Sequence, residues 1–252
     1  MAKVVSVDES TQPLRTLSAA ELQTYDEQGF VILDNVFPSQ DITTLNDEIE
    51  RLMPEHGDTM ANRPGWIFQL GLRSELISNF ARDERILSLI EDIVHPGIAI
   101  HSAKLVSKVP HSDIVCHWHQ DEAFYTRPDD PKSFSQTRMS IWVPLQDANE
   151  ANGCMWVVPG SHRWGLQDYE VMDYGACVRK LTPEEYANEH AIPVPLPAGS
   201  MLLFHGLLWH HSKGNSTDHV RQAFIVSYQE ATSSADVGQR KLIRPAPASN
   251  GE

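Results

Sequence analysis

The pattern of apolar and polar residues changes character near residue 98. Before that point, apolar residues recur at helical spacing in two stretches, residues 39–54 and 76–94, which predicts two amphipathic helices. Ser39 or Asp41 is the expected N-cap of the first of them, because either side chain can accept a hydrogen bond from a free backbone N–H. The N-terminal part of the chain is therefore predicted to be helical.

A shorter helix is predicted ahead of these two. Ser18 and Glu21 have the spacing of a capping box, and Gly29 supplies the stop. The apolar residues Phe30–Leu33 then predict a strand. The residues before this helix, 1–16, are expected to be loose.

Short strand patterns with turn signals between them follow after residue 98. Asn152-Gly153 and Pro159-Gly160 are turn dipeptides. Strands at this spacing predict an all-β core, a jelly-roll or barrel, rather than an alternating α/β sheet. The predicted strands are 99–108, 114–119, 137–145, 154–158, 191–195, 200–205, 207–212 and 221–228.

All 252 residues are expected to form a single domain. Residues 1–97 would be a helical support, 98–230 the β core and 231–252 a polar, poorly ordered tail. Two connectors, 122–136 and 163–190, are long for a compact barrel, and long loops usually cover a site or contact a partner.

Composition narrows the function classes. The chain has 20 Lys and Arg against 34 Asp and Glu, a formal charge of −14, which argues against nucleic-acid binding. No apolar run predicts a membrane span or a leader, so we expect a small-molecule partner and a cytoplasmic location. Cys116, Cys154 and Cys177 show neither a disulfide framework nor a paired zinc motif, which favours a reducing compartment.

Two histidines and one carboxylate are the candidate metal ligands. His119-Gln-Asp121 places an imidazole and a carboxylate two residues apart at the end of a predicted strand, and His210 lies in a later strand. Such a triad leaves coordination positions open and suits non-haem Fe(II). A His-x-Asp spacing alone is weak evidence in a chain with 12 histidines.

Several other histidines compete for these roles. His111-Ser-Asp113 repeats the same spacing, but it follows a proline in a predicted turn. His117 shares a strand face with His119 and could be a ligand or a packed neighbour; we favour the neighbour. The alternatives to His210 are His205, His211 and His219.

His210 is preferred because an anion site is predicted beside it. Ser212 shares its strand face, and Arg221 opens the next strand, which could pair back antiparallel and bring the guanidinium close. Arginine binds carboxylates through a bidentate fork, and a hydroxyl adds one hydrogen bond. Trp142 could wall this site or simply fill the barrel.

These residues resemble the phytanoyl-CoA dioxygenase family of Fe(II)/2-oxoglutarate-dependent oxygenases. The resemblance runs from about residue 17 to 229, and its blocks are specific only jointly. They are His-Trp-His119-Gln-Asp121, Ile-Trp142-Val-Pro-Leu, Asn152-Gly-Cys-Met-Trp-Val-Val-Pro-Gly-Ser-His162, and Phe-His-Gly-Leu-Leu-Trp-His210-x-Ser212-x-x-Asn215 with Arg221.

The resemblance implies a double-stranded β-helix, a cupin-like jelly-roll. It also implies that His119, Asp121 and His210 bind iron. Arg221 and Ser212 would hold the distal carboxylate of 2-oxoglutarate, and the pocket for that carboxylate would be lined by Trp142. Dioxygen is the other implied cosubstrate. Further cosubstrate contacts would come from Lys104, Leu105 or Ser107, between which the sequence does not choose.

The expected reaction is hydroxylation of an aliphatic C–H bond of a small molecule, such as a specialised metabolite or an amino-acid derivative. Desaturation, epoxidation and ring formation are variants of the same iron chemistry. Halogenases that resemble this family lack the carboxylate ligand, which leaves room for chloride on the iron, so the presence of Asp121 disfavours halogenation. A zinc hydrolase or a non-catalytic cupin-like binding module is the alternative from another class. A monomer and a homodimer are both left open. The residues proposed for the substrate wall are Trp66, Phe68, Gln69, Phe124, Tyr125 and Trp164.

Overall fold

The computed structural model describes residues 14–182, 184–233 and 241–246. Predictions about residues 1–13 and about most of the tail after 233 lie outside the described residues. No helix among the described residues is long and apolar enough to cross a membrane.

Helices occupy mainly the N-terminal part of the chain, as predicted. The α-helices of the described residues are α1 (Ala19–Gln28), α2 (Ser39–His56), α3 (Glu75–Phe80), α4 (Glu84–Ile90), α5 (Glu122–Tyr125) and α6 (Glu184–His190), and short 3-10 turns occupy Leu70–Leu72, Pro131–Ser133 and Ser161–Trp164. The capping box predicted for α1 is formed, and Gly29 ends that helix with φ at 81°. Glycine reaches this left-handed conformation without the steric cost that a Cβ would bring.

Three details of the helix prediction were wrong. Pro38 is the N-cap of α2, so neither Ser39 nor Asp41 caps the helix, and Asp41 pairs with Arg85 at 2.6 Å. The helix also continues past Pro54 to His56, since a proline this close to the end disturbs only the last turn. The predicted 76–94 helix is divided into α3 and α4 where Asp83 caps a new start.

The β core contains all eight predicted strands and further ones. The strands of the described residues are β1 (Phe30–Leu33), β2 (Ile98–Lys108), β3 (Cys116–His119), β4 (Met139–Pro144), β5 (Met155–Val157), β6 (Tyr169–Val171), β7 (Arg179–Leu181), β8 (Ile192–Val194), β9 (Met201–His205), β10 (His210–Ser212), β11 (Arg221–Gln229) and β12 (Lys241–Arg244). The prediction missed β6 and β7, which form a hairpin within the 163–190 connector, and β12. Because β12 pairs with β2, the expectation of a poorly ordered tail was wrong for that segment.

The strands form two main antiparallel sheets. A six-stranded sheet has the order β1-β9-β4-β11-β2-β12, and a four-stranded sheet has the order β3-β10-β5-β8. Alternation of side chains gives the large sheet two apolar faces. Leu105, Phe224 and Val226 pack towards the helices, whereas Trp142 and Ile225 belong to the core that faces the small sheet.

The predicted pairing of the His210 and Arg221 strands does not occur. β10 pairs with β3 and β5, while β11 pairs with β2 and β4 in the other sheet. The turn between them therefore crosses from one sheet to the other. Both strands still face the same interior space, so the two side chains can share a site without sharing a ladder.

The cysteine prediction was also wrong in part. Cys116 on β3 and Cys177, just before β7, form a disulfide across 61 positions of sequence, while Cys154 is free and buried. No spacing pattern marks this pair, because the bridge joins a core strand to a connector. The bridge ties the β6–β7 hairpin to the strand that also carries His119.

Candidate metal centre and active-site cavity

The predicted triad converges between the two sheets. His119 and His210 lie directly opposite each other in the β3–β10 ladder, and their ring centroids are 4.0 Å apart. Asp121 follows the end of β3, and its Oδ1 lies 3.9 Å from Nε2 of each histidine. One donor atom from each side chain lies within 4.8 Å of the other two, which is close enough for all three to bind a single ion.

Backbone carbonyls orient both imidazole rings. Nδ1 of His119 lies 2.7 Å from the His117 carbonyl oxygen, and Nδ1 of His210 lies 2.8 Å from that of Leu208. A ring nitrogen that faces a carbonyl must carry the proton, so Nε2 of each ring keeps its lone pair for a metal. The tautomers that a metal requires are therefore set by the backbone.

The Asp121 carboxylate is held from behind. Its Oδ2 accepts a hydrogen bond from Ser140 Oγ at 2.9 Å, and Lys104 Nζ lies 3.9 Å from Oδ1. Burial alone would raise the pKa of this carboxyl, but the Lys104 ammonium and the Ser140 hydrogen bond lower it below its usual range. Asp121 is therefore ionised and fixed in orientation at neutral pH.

The same site keeps both imidazoles neutral. Burial is the main cause that lowers the pKa of His119 and of His210, and for His119 the neighbouring His210 lowers it further. Only a neutral imidazole can bind a metal, so the lowered pKa values favour metal binding at neutral pH. The donor set, two neutral imidazoles and one carboxylate with open directions, fits non-haem Fe(II).

The competing His-x-Asp pair lies away from this centre. The exposed His111 has φ at 53° and faces Asp218 at 2.9 Å rather than Asp113. His117 packs edge-on against Tyr174, with ring centroids 4.8 Å apart, which makes it a packed neighbour.

The competing histidines of the distal strand have structural surroundings too. His205 accepts the Leu207 N–H at Nδ1, and its Nε2 faces the Gln136 carbonyl. The ring of His211 lies 4.1 Å from that of Trp118, and His219 is exposed on the turn.

A cavity of about 600 Å³ opens from the triad and contains most of the predicted cosubstrate residues. Lys104, Trp142, Ser212 and Arg221 line it together with the triad. Trp142 lines the cavity and also packs in the core between the sheets, where it is 2% exposed.

Leu105 and Ser107 do not line this cavity, so the structure does not support them as cosubstrate contacts. They alternate with Lys104 on β2 and so face the opposite side of the sheet. Leu105 belongs to the core on the helix side, and Ser107 Oγ donates to the Gly65 carbonyl at 2.8 Å. Of the three candidates, only Lys104 lines the site.

Arg221 is a buried cation without a carboxylate partner among the described residues. It is 1% exposed, and its guanidinium donates to the carbonyls of Gly153 and Asn152 while Nη1 has no hydrogen-bond partner. Lys108, its neighbour across the ladder, is also buried, and burial together with Arg221 lowers the pKa of this lysine well below its usual value. Burial lowers the pKa of Arg221 to about 10, so it stays charged at neutral pH. Because a buried charge without a partner is costly, an anionic ligand would stabilise Arg221.

Four of the six proposed substrate-wall residues line the cavity: Trp66, Phe68, Phe124 and Tyr125. Gln69 and Trp164 do not. Gln69 has a left-handed backbone, with φ at 57°, and lines a separate small cleft. Trp164 packs on the rings of Tyr186 and Trp209, where it covers the small sheet rather than the cavity.

Sequence reasoning missed two arginines of the cavity wall. Arg63 lies in the irregular 55–72 segment and Arg179 begins β7, and both line the cavity. The only available signal was the length of the 163–190 connector. These two segments meet where Asn62 Nδ2 donates to the Gly175 carbonyl at 3.1 Å, so together they form the cover of the site.

Comparisons with known proteins agree with this geometry. The family model for phytanoyl-CoA dioxygenase (PhyH) matches residues 25–223. The chain is 25% identical over 243 residues to the ectoine dioxygenase of Bordetella parapertussis, a match that covers 84% of this chain and 75% of that protein.

Solved structures show the same fold. EctD from S. alaskensis, solved with 2-oxoglutarate and 5-hydroxyectoine, has a TM-score of 0.73 at 22% identity and covers 87% of this chain and 78% of its own. The epimerase SnoN, solved with Fe³⁺, alpha ketoglutarate and nogalamycin RO, has a TM-score of 0.71 at 21% identity, with coverage of 86% and 85%. The prediction of a cupin-like double-stranded β-helix is confirmed.

Proposed function

The chain belongs to the phytanoyl-CoA dioxygenase family of non-haem iron, 2-oxoglutarate-dependent oxygenases, and on that premise we propose how its own residues serve this chemistry. His119, Asp121 and His210 hold Fe(II), and Arg221 anchors 2-oxoglutarate. The observation that carries the proposal is the buried guanidinium of Arg221, which lines the same cavity as the triad and has no carboxylate partner among the described residues.

The three ligands are arranged to hold the metal on one side only. The histidine Nε2 atoms and Asp121 Oδ1 face a common point, while the remaining directions open into the cavity. In this family the bound iron supplies the dioxygen-dependent decarboxylation of 2-oxoglutarate to succinate, coupled to oxidation of a second substrate. The protein's part is to fix the ligands and to aim the substrate.

The cosubstrate end of the cavity fits a dicarboxylate. Arg221 offers its unpartnered Nη1 to the distal carboxylate, and the Ser212 hydroxyl can add a hydrogen bond. The Trp142 ring lies under the guanidinium, with the guanidinium carbon 5.5 Å from its centroid, and limits access of water. Lys104, on β2 of the large sheet, lies 3.9 Å from Asp121 and helps to hold it in place.

We propose hydroxylation of an aliphatic C–H bond as the outcome. The cavity volume of about 600 Å³ is that of a small-molecule site. The ectoine dioxygenase to which the chain is similar supports an oxygenase outcome by its name. Desaturation, epoxidation or ring formation would use the same residues and differ only in how the substrate is posed above the metal.

Uncoupled turnover tests this proposal without knowledge of the substrate. With Fe(II) and air, the wild-type protein should convert 2-oxoglutarate to succinate slowly, and His210→Ala should abolish the conversion. The matched control is His111→Ala, which removes the histidine of the competing His-x-Asp pair and should leave the rate unchanged. Binding of Zn(II) but not of 2-oxoglutarate would instead favour the hydrolase or the binding module, since neither needs Arg221 for a dicarboxylate.

A further inference from the structure

We infer that the substrate carries a carboxylate on an apolar body, and that Arg179 receives this carboxylate. This inference rests on the proposed function and deepens it, because it assigns the chemical class of the second substrate. It is drawn from the position of Arg179, from its lack of an acidic partner and from the character of the wall around it.

Arg179 lies one aromatic ring away from the metal centre. Its guanidinium carbon is 4.9 Å from the centroid of the Phe124 ring, and that ring packs edge-on against His119 with centroids 5.7 Å apart. Tyr169, on the other strand of the hairpin, lies 4.8 Å from the same guanidinium carbon. Stacking on rings leaves the edges of a guanidinium available for hydrogen bonds.

The position of Arg179 is fixed by the disulfide. Cys177 precedes it by two residues and is bonded to Cys116, which lies on the same strand as His119. The guanidinium is therefore tied to the strand that carries a metal ligand, rather than to a free loop. A substrate group bound there would be held at a set distance from the reacting centre.

Among the described residues of the cavity wall, Arg179 is the cation to which no other role is assigned. Arg63 pairs with Asp58 at 3.3 Å, Lys104 lies beside Asp121, and Arg221 is assigned to the cosubstrate. No carboxylate of the described residues forms an ion pair with Arg179. Arg179 is half-buried in the cavity wall, so its guanidinium is within reach of an anion that enters the cavity.

The rest of the wall specifies the body of the substrate. The lining includes the apolar residues Met60, Trp66, Phe68, Phe124 and Val178. Of the lining residues that the structure describes, only the metal ligand Asp121 carries a carboxylate. Apolar walls with a few placed polar groups are typical of small-molecule sites, in which the polar groups orient the ligand. Arginine recognises a carboxylate through two parallel hydrogen bonds, which fixes orientation as well as charge.

A matched pair of probes tests the inference. Binding of 3-phenylpropionate and of its neutral amide, 3-phenylpropanamide, is measured by calorimetry on the anaerobic Fe(II) enzyme saturated with 2-oxoglutarate, so that the Arg221 site is filled. The wild type should bind the carboxylate about tenfold more tightly than the amide, the effect of one charge-assisted hydrogen bond. Arg179→Gln should bind the two probes equally, and Arg179→Lys should keep part of the preference.

The controls separate this inference from the proposed function. Arg51→Gln removes an exposed arginine of α2 and should keep the wild-type preference. Arg179→Gln should retain the wild-type melting temperature, so that a lost preference reports the missing guanidinium and not a loss of fold. Equal binding of the probes by the wild type, failure of both to bind, or a preference that survives in Arg179→Gln would overturn the inference. If the wild-type protein did not turn over 2-oxoglutarate at all, the proposed function would be overturned instead.

Discussion

The metal end and the cover of the cavity are built by different means. At the metal end, His119 and His210 are on paired strands, and a backbone carbonyl or a buried hydroxyl orients each ligand. The cover consists of the 55–72 segment and the β6–β7 hairpin. The 55–72 segment is held to β2 by the backbone pairing of Ile67 with Leu105 and by Ser107 Oγ, which donates to the Gly65 carbonyl, and the hairpin is joined to β3 by the disulfide.

The difference teaches where this fold is constrained and where it is free to vary. Metal chemistry needs donor atoms held within fractions of an ångström, which strands and buried hydrogen bonds provide. Substrate choice can be set by a few side chains on connectors, which change without disturbing the ladders. Variants at the metal end should therefore abolish binding of the metal, and variants in the cover should leave it intact.

The largest effect is expected from removal of a ligand. Asp121→Ala should weaken Fe(II) binding by more than about 100-fold, because even residues that only support a ligand contribute 10–100-fold. Anaerobic calorimetry measures the affinity. Asp113→Ala, which removes the acid of the competing pair, is the matched control and should bind iron normally. A similar loss in both variants would mean that the triad is not the metal site.

The next largest effect is expected at the buried arginine. Arg221→Gln should weaken 2-oxoglutarate binding by at least about 30-fold while iron still binds, since loss of one partner of a buried charge pair costs 2 kcal/mol or more. Arg221→Lys keeps the charge but loses the bidentate guanidinium, so its affinity for 2-oxoglutarate should lie between those of the wild type and Arg221→Gln. Unchanged cosubstrate affinity in Arg221→Gln, with a wild-type melting temperature, would contradict the assigned role.

The metal end could be predicted from sequence because its signals are local. Alternation along β3 and β10 indicates which side chains share a face, and His-x-Asp at a strand end brings two ligands together. Arg221 opens the strand that follows His210 in sequence, which predicts an anion site beside that histidine. The predicted pairing of β10 with β11 was wrong, however, because β11 pairs with β2 and β4 in the large sheet. The sequence does not show which sheet a strand joins after a turn.

The cover could not be predicted to the same depth. Nothing in the spacing of Cys116 and Cys177 marks a bonded pair, and the short strands β6 and β7 carry no clear alternation. Aromatic loop residues such as Trp164 and Phe124 look alike in sequence, yet only Phe124 lines the cavity. Tertiary packing decides which ring turns inward.

A smaller effect is expected from the hydroxyl behind Asp121. Ser140→Ala should weaken Fe(II) binding by roughly tenfold, because a free carboxylate rotates and aims its oxygen less well at the metal. The affinity is measured as for Asp121→Ala. Ser216→Ala, on the exposed turn after β10, is the control. An unchanged affinity in Ser140→Ala would contradict a role of this hydroxyl in holding the carboxylate.

The smallest effect on the metal is expected from release of the cover. Cys177→Ser removes the bridge to β3 and should lower the melting temperature by roughly 5–10 °C, while iron affinity changes by less than about threefold. Dithiothreitol should lower the melting temperature of the wild type by the same amount and leave that of Cys177→Ser unchanged. A wild type that does not respond to the reductant would show that the bridge does not stabilise the protein.

Anaerobic titration of the Fe(II)-loaded protein with 2-oxoglutarate, followed by visible absorption, tests the central claim most directly. A cosubstrate that chelates Fe(II) gives a charge-transfer band, so the signal requires the metal and the dicarboxylate to share one site. We predict a saturable band in the wild type, a much weaker apparent affinity in Arg221→Gln, and no band in His210→Ala. Absence of the band in iron-loaded wild-type protein, or its persistence in His210→Ala, would contradict the account.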